Sequence, residues 1–168
     1  TGQLIYRAGH TKYTRVIIGF NDGSKLYFND MRKFGHMKIV DRNEKEKIVS
    51  DYGIEPLSGK LTADALKNIT RNRKAPVKVV LLNQKLIAGI GNIYADEICF
   101  DAGIMPDRKC AGLKAPEIIR LYKSIKNVLR KALKYGGATF KDYVDARGAK
   151  GGFLKFLKVY KREGEKCY

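Results

Sequence analysis

Acidic side chains are scarce in this sequence: 17 Asp and Glu stand against 34 Lys and Arg over 168 residues, a formal charge of +17 at pH 7. A surplus of that size points to a polyanionic partner, nucleic acid first, with a merely solvated basic surface as the plain alternative. Cysteine is scarce too. The three present, Cys99, Cys110 and Cys167, are odd in number and form no Cys-x-x-Cys pair. That argues against a disulfide framework and against a complete zinc site, and it suits a reducing cytoplasm. Long apolar runs are missing as well: no stretch approaches the roughly 20 residues of a membrane span, and no charged segment followed by an apolar run opens the chain. A soluble, unsecreted protein is expected, with enough hydrophobic content (44%) to bury a core without staples.

What is present changes character along the chain. Tyr13 to Phe20 and Lys25 to Asn29 are β-rich runs, and Asn21-Asp22-Gly23 between them carries the turn chemistry of a hairpin. Gly35 to Val40 suits a further strand, Asp41 to Lys47 reads as a charged connector, and Ser58-Gly59 marks a break. From Leu61 the period becomes helical, through Leu61, Ala65, Leu66 and Ile69, with Thr62 placed as an N-cap. Pro76 suits the first turn of a second helix reaching about Leu86, a third starts near Asn92 and ends around Gly103, and a fourth shows the clearest apolar face. That face is Ile118, Leu121, Tyr122, Ile125, Val128, Leu129, Ala132 and Leu133, and Gly136-Gly137 ends it. The tail has glycines at 148, 151 and 152 and then an alternating, strand-like run from Phe153 to Tyr160.

Gly89-Ile90-Gly91-Asn92 lies between two of these helices. Its glycines permit positive φ, and a helix N-terminus there offers N–H groups and a dipole suited to an anionic oxygen. Asn92 suits capping that helix or donating to the same phosphate, and Lys78 supplies a counter-charge. Taken alone, such a turn is as often structural, and Lys78 is usually a plain surface lysine.

Leu81-Leu82-Asn83-Gln84 followed by Ala88-Gly89-Ile90-Gly91-Asn92-Ile93-Tyr94-Ala95-Asp96-Glu97 resembles the helix-two-turns-helix signature of formamidopyrimidine-DNA glycosylases. Ala102-Gly103-Ile104-Met105-Pro106 continues it, Asn29 to Gly35 resembles the family's Asp-x-Arg-x-Phe-Gly loop, and Gly136 to Thr139 and Val159 to Cys167 resemble its later landmarks. The resemblance implies an α+β protein: the remnant of an N-terminal antiparallel β-sandwich (1–58), a helix-two-turns-helix DNA-binding domain (59–137), and a lesion-recognition loop with an incomplete zinc-finger region (138–168). It also implies a base-excision repair enzyme, a DNA glycosylase and apurinic-site lyase that flips oxidised purines out of duplex DNA, acting in a bacterial cytoplasm as a monomer. The runner-up is a non-catalytic helix-two-turns-helix module binding nucleic acid.

The resemblance carries over to single residues. Phe34 and Arg32 match the family's stack-filling wedge and its reader of the widowed base, roles intelligible because an extruded base leaves a gap to fill. Alone, Phe34 reads equally well as a core phenylalanine. Lys78 and Asn92 match phosphate contacts around the helical turn, Arg73 a basic position just before it and Tyr160 a phosphate-contacting tyrosine, and Tyr13 stands where the family has a DNA-contacting histidine. Lys141 matches a lysine near the damaged-base pocket, and Arg147, Gly148, Ala149, Lys150, Gly151 and Gly152 resemble the loop that closes over the flipped base. Both Lys141 and Arg147 also read as solvated charges. Glu97 is assigned to holding the helices together.

The departures concern chemistry. The family's nucleophilic N-terminal proline, its neighbouring glutamate and a lysine have no match, since Thr1-Gly2-Gln3 resembles a later point of the family. No catalytic residue, and no activity of this chain by itself, is therefore expected. Cys167 matches the first of four zinc ligands, and one thiolate does not hold zinc stably.

Overall fold

The structure, a computed structural model, describes residues 2–6, 9–139 and 149–167. It divides into two compact units, Thr1–Ile39 with Ala132–Phe156, and Val40–Lys131 with Leu157–Tyr168.

The first unit is built on an antiparallel sheet in the order β1-β3-β2, with β1 Gln3–Tyr6, β2 Thr14–Gly19 and β3 Lys25–Asn29. The β2–β3 hairpin forms as its turn residues require. The Phe20 N–H donates to the Ser24 carbonyl (2.9 Å), Asp22 Oδ1 accepts from the Ser24 N–H and hydroxyl, and Gly23 takes φ 78°. On the other side of β3, Leu4 faces Phe28 and Tyr6 faces Leu26; Val16 and Ile18 of β2 oppose the same two residues, so one face of the sheet is apolar throughout. β1 is an addition to the two strands read from sequence, too short for its alternation to stand out.

Gly35 to Val40 does not form the strand expected of it. Residues 35–39 are exposed, because the chain turns away immediately after β3. The run from Phe153 to Tyr160 is not a strand either: Phe153–Phe156 is a short 3₁₀ turn. Its alternation reflects aromatic packing, with Phe153 buried and Phe156 against Tyr135 at 4.4 Å between ring centroids.

In the second unit α1, Arg42–Ser50, occupies the segment expected to be a charged connector. It buries no residue and so shows no apolar stripe; Asp41 caps it by accepting the Glu44 N–H at 2.8 Å, and Arg42 pairs with Glu46 one turn on. α2, Ala63–Thr70, is capped by Thr62, which accepts the Ala65 N–H at 3.0 Å, a bond worth about 1 kcal/mol. α3, Val77–Leu82, stops short of Leu86 because Asn83 leaves helical geometry and its side chain accepts the Lys85 N–H instead. α4 is Asn92–Asp101 and α5 Ala115–Lys134, followed by Gly136 and Gly137 at positive φ.

One core gathers Leu61 and Leu66, Val77, Val80 and Leu81 of α3, Ile87 and Ile90 of the turn, Ala95, Ile98 and Cys99 of α4, and Ile118, Leu121, Ile125 and Leu129 of α5. Each fully buried leucine or isoleucine there contributes about 1.5–3 kcal/mol. Of the expected face of α5, Leu133 is the exception, 71% exposed in the last turn. No helix among the described residues is long and apolar enough to cross a membrane.

Arg108 secures the start of α5 by gripping Glu117 with two N–H···O bonds of 2.6 and 3.1 Å, while the Lys114 N–H adds a third at 2.8 Å. That amide, and with it the guanidinium, holds the Glu117 carboxyl below the usual glutamate range. A lowered folded-state value means stability that is full above the unfolded value and is lost as pH falls through the folded one. Urea melts of wild type and Glu117→Gln, taken from neutral pH downward, should therefore converge below about pH 4.3. A difference that stays constant with pH would remove this role.

Candidate nucleic-acid interface

In the first unit the chain leaves β3 through a turn built on one carboxylate. Asp30 is 1% exposed; its Oδ1 accepts the Arg32 and Lys33 N–H groups, each at 3.1 Å, and its Oδ2 accepts the Gly35 N–H at 2.6 Å. Its own N–H donates to the Tyr13 carbonyl and its carbonyl accepts from Arg15 Nε, so the turn is tied to β2. Glycine suits position 35 by close approach, since a Cβ there would lie 2.7 Å from the Phe28 ring and displace it. The loop so braced presents Phe34, 75% exposed, with the Arg32 guanidinium 5.3 Å from its ring centroid. Phe34 is thus no core residue. Tyr13 is half-buried beside this turn, with Lys12 Nζ 5.1 Å from its ring centroid.

In the second unit α3 and α4 are joined by residues 83–91, and Gln84 organises them. Its Oε1 accepts the Gly89 N–H at 2.7 Å while its Nε2 donates to the Leu82 and Ile90 carbonyls at 3.0 and 2.9 Å. Gly89 sits at φ 82°, and the strip 86–88 is backed by Gly53 and Ile54, whose N–H groups donate to the Gln84 and Leu86 carbonyls. A Cβ on Gly53 would collide with the Leu86 and Ile87 backbone. Gln84 was legible only as part of a motif; an amide side chain two residues past a helix end carries no periodic signal of its role.

Asn92 lies exposed at the first position of α4, but it is not the cap: Gly91 is, and no side chain caps the helix. Lys78 of α3 sits beside α4, its Nζ 2.7 Å from Asp96 Oδ1, both side chains partly exposed. Arg73 is exposed after α2 and donates through Nε to the Ile69 carbonyl. Tyr160 is half-buried, and its N–H donates to Glu97 of α4. Glu97 holds a loop segment, residues 158–160, where a helix-to-helix tie was expected.

Lys141, Arg147 and Gly148 lie outside the described residues. Ala149 and Lys150 are exposed. Gly151 and Gly152 pack on the end of α5: the Gly151 N–H donates to Thr139 Oγ1 and the Gly152 N–H to the Tyr135 carbonyl, both at 2.7 Å. A Cβ on Gly151 would strike the Gly136 and Gly137 carbonyls, so glycine is needed there for close packing.

The residues present do not fit a zinc site. Among the described residues no group of three or more His, Cys, Asp or Glu is placed to hold a metal, and Cys167 is exposed and unpaired in any disulfide. Cys99 and Cys110 are free thiols inside the core.

Two short helices joined through a double turn that one glutamine braces in one unit, and a small antiparallel sheet in the other, define a helix-two-turns-helix protein of the α+β class. The model of the formamidopyrimidine-DNA glycosylase H2TH domain matches residues 52–144. The chain belongs to the formamidopyrimidine-DNA glycosylase family. It is 41% identical to the formamidopyrimidine-DNA glycosylase of Pelotomaculum thermopropionicum over 99% of this chain and 62% of that protein, and 39% identical to that of Bacillus cereus over 93% and 57%. It thus spans about three fifths of the length of these relatives. Among solved structures, the MutM (Fpg) protein of Thermus thermophilus matches with a TM-score of 0.89 at 37% identity, over 98% of this chain and 63% of that one. The Lactococcus lactis Fpg in complex with DNA containing an abasic site matches with a TM-score of 0.88 at 30% identity, over 99% and 62%.

Burial pushes the Cys99 thiol up to about 12 and also raises that of Cys110. Thiolate, the reactive form, is thus suppressed at both, and neither is accessible. A maleimide titration of the native chain near neutral pH should modify Cys167 alone, the other two following only on denaturation. Rapid loss of more than one thiol would contradict this core.

Proposed function

We propose that this chain is the duplex-gripping and lesion-reading part of a DNA glycosylase of base-excision repair, a bifunctional glycosylase and apurinic-site lyase that removes oxidised purines such as 8-oxoguanine and formamidopyrimidines. The observation that carries the reading is Phe34. A turn fixed by a buried carboxylate and a crowded glycine holds this phenyl ring 75% exposed, where its faces are available for stacking. A π-stack opened by base extrusion offers that stacking, and the Arg32 guanidinium beside the ring supplies donors for the unpaired partner base.

The remaining groups suit phosphate contacts, which position a duplex without reading it. Lys78 and Asn92 lie on α3 and at the start of α4, around the Gln84 turn; Arg73, Tyr160 and Tyr13 add donors, and the charge of +17 supplies the long-range attraction. Ala149, Lys150, Gly151 and Gly152, with Lys141, Arg147 and Gly148, belong in this reading to the loop beside the flipped base. Relatives at about 40% identity that carry the glycosylase name, and a solved relative bound to abasic DNA, support the assignment. None of the residues described here is assigned a catalytic role. Zinc belongs to the family's finger, of which Cys167 is a single ligand, and the protein is read as a monomer of the bacterial cytoplasm.

The test compares binding to an abasic duplex with binding to an intact one, with borohydride trapping on the same samples. Phe34→Ala should lower the preference for the abasic duplex roughly tenfold, since a stacked base is worth about 1–3 kcal/mol. Equal losses on both duplexes would remove the wedge, and a trapped adduct would mean that an amine in this chain does chemistry.

Asp96 generates a second expectation. Lys78 is already neutralised by Asp96, so engaging a phosphate there releases less counterion than a free lysine would. Asp96→Asn should tighten intact and abasic duplexes alike by several-fold and steepen the log–log salt slope by up to about 0.9. An unchanged slope would place Lys78 away from the phosphates.

A further inference from the structure

Glu97 is one of two acidic residues buried in the described chain, 4% exposed in the second turn of α4. Its carboxylate accepts three consecutive backbone N–H groups more than sixty residues away: Lys158 at 2.8 Å on Oε2, and Val159 and Tyr160 at 3.0 Å each on Oε1. Successive amides closing on one anion form the concave arrangement that binds carboxylates and phosphates. Hydrogen bonds to a charged acceptor contribute more than neutral ones. The segment they hold has little else to fix it by packing, for no residue from 157 to 167 is buried. Arg162 closes that segment on itself as well, donating to the Lys158 carbonyl and pairing with Glu165.

The preceding residue on the same helix is Asp96, which holds Lys78. Two adjacent carboxylates of α4 therefore set, from one rigid element, the places of two side chains assigned to phosphate. We propose that Glu97 is a positioning residue for duplex binding: it sets the backbone at 158–160 so that the Tyr160 hydroxyl reaches a phosphate in register with Lys78 and the start of α4. The inference rests on the assignment of Tyr160 as a phosphate contact.

Electrostatics alone predict the opposite of this proposal. Removing a negative charge from a basic protein should tighten its grip on DNA, whereas loss of the amide grip should weaken it. The experiment is a double-mutant cycle in this chain, Glu97→Gln against Tyr160→Phe, read as the Kd for a labelled duplex carrying a tetrahydrofuran abasic site, with thermal melts of every variant. Glu97→Gln is expected to weaken binding about fivefold when Tyr160 is present and less than twofold in the Tyr160→Phe background, a coupling of about 0.5 kcal/mol or more. Should Glu97→Gln not fold, Glu97→Asp, which keeps the charge but draws it back by one methylene, runs through the same cycle. Equal losses in both backgrounds, or tighter binding, would overturn the role of Glu97 while Tyr160 kept its own. No loss on Tyr160→Phe would remove both the Tyr160 contact and this role, and would leave the Phe34 comparison standing.

Discussion

A backbone N–H that leaves a helix or strand must find another acceptor, and three of the side chains that meet that demand here organise the loops next to the residues assigned to the duplex. Asp30 collects the amides of Arg32, Lys33 and Gly35; Gln84 takes that of Gly89 and returns its own N–H groups to two carbonyls; Glu97 collects those of residues 158–160. Each of these loops carries or adjoins residues assigned to the duplex: Arg32 and Phe34, then Asn92, then Tyr160. Among the contact residues themselves, Arg32, Phe34 and Asn92 are exposed and Tyr160 is half-buried. Fixing the backbone beneath them is what narrows the places their tips can reach.

Asp30 and Glu97, the two carboxylates among these acceptors, show how a chain with twice as many basic as acidic residues uses its acids. A carboxylate facing a bound polyanion would repel it. Asp30 and Glu97 are instead turned inward onto amides, Glu117 is closed by Arg108, and Asp96 is covered by Lys78. Satisfied in this way, the acids stabilise loops and helix ends without interrupting the basic surface, and Asp96 moderates one of its lysines.

Much of this architecture was legible along the chain. The hairpin with its Asn21-Asp22-Gly23 turn, Thr62 as a cap, the face of α5 and the glycines that end it all follow from local rules, each satisfied within a few residues. Where local reading failed, a local signal was weak or had another cause. α1 has no apolar stripe because it buries nothing. The alternation after Gly152 belongs to aromatic residues packed at the end of α5, and Gly35 to Val40 lost its strand to the turn that Asp30 makes.

The sequence by itself determined the kind of protein: the helix-two-turns-helix signature, the charge, and the chemical types of Arg32, Phe34, Lys78 and Tyr160 can all be read without coordinates. Only the tertiary structure decided what these residues do at rest. It placed Phe34 in solvent, where composition left it equally suited to a core; it gave the cap of α4 to Gly91 and not Asn92; and it joined Glu97 to amides more than sixty residues distant. The reason is physical. Helix periods, caps and turns are settled by neighbours along the chain, whereas burial and the pairing of a charge depend on which distant segments packing brings within about 3 Å, the reach of a hydrogen bond.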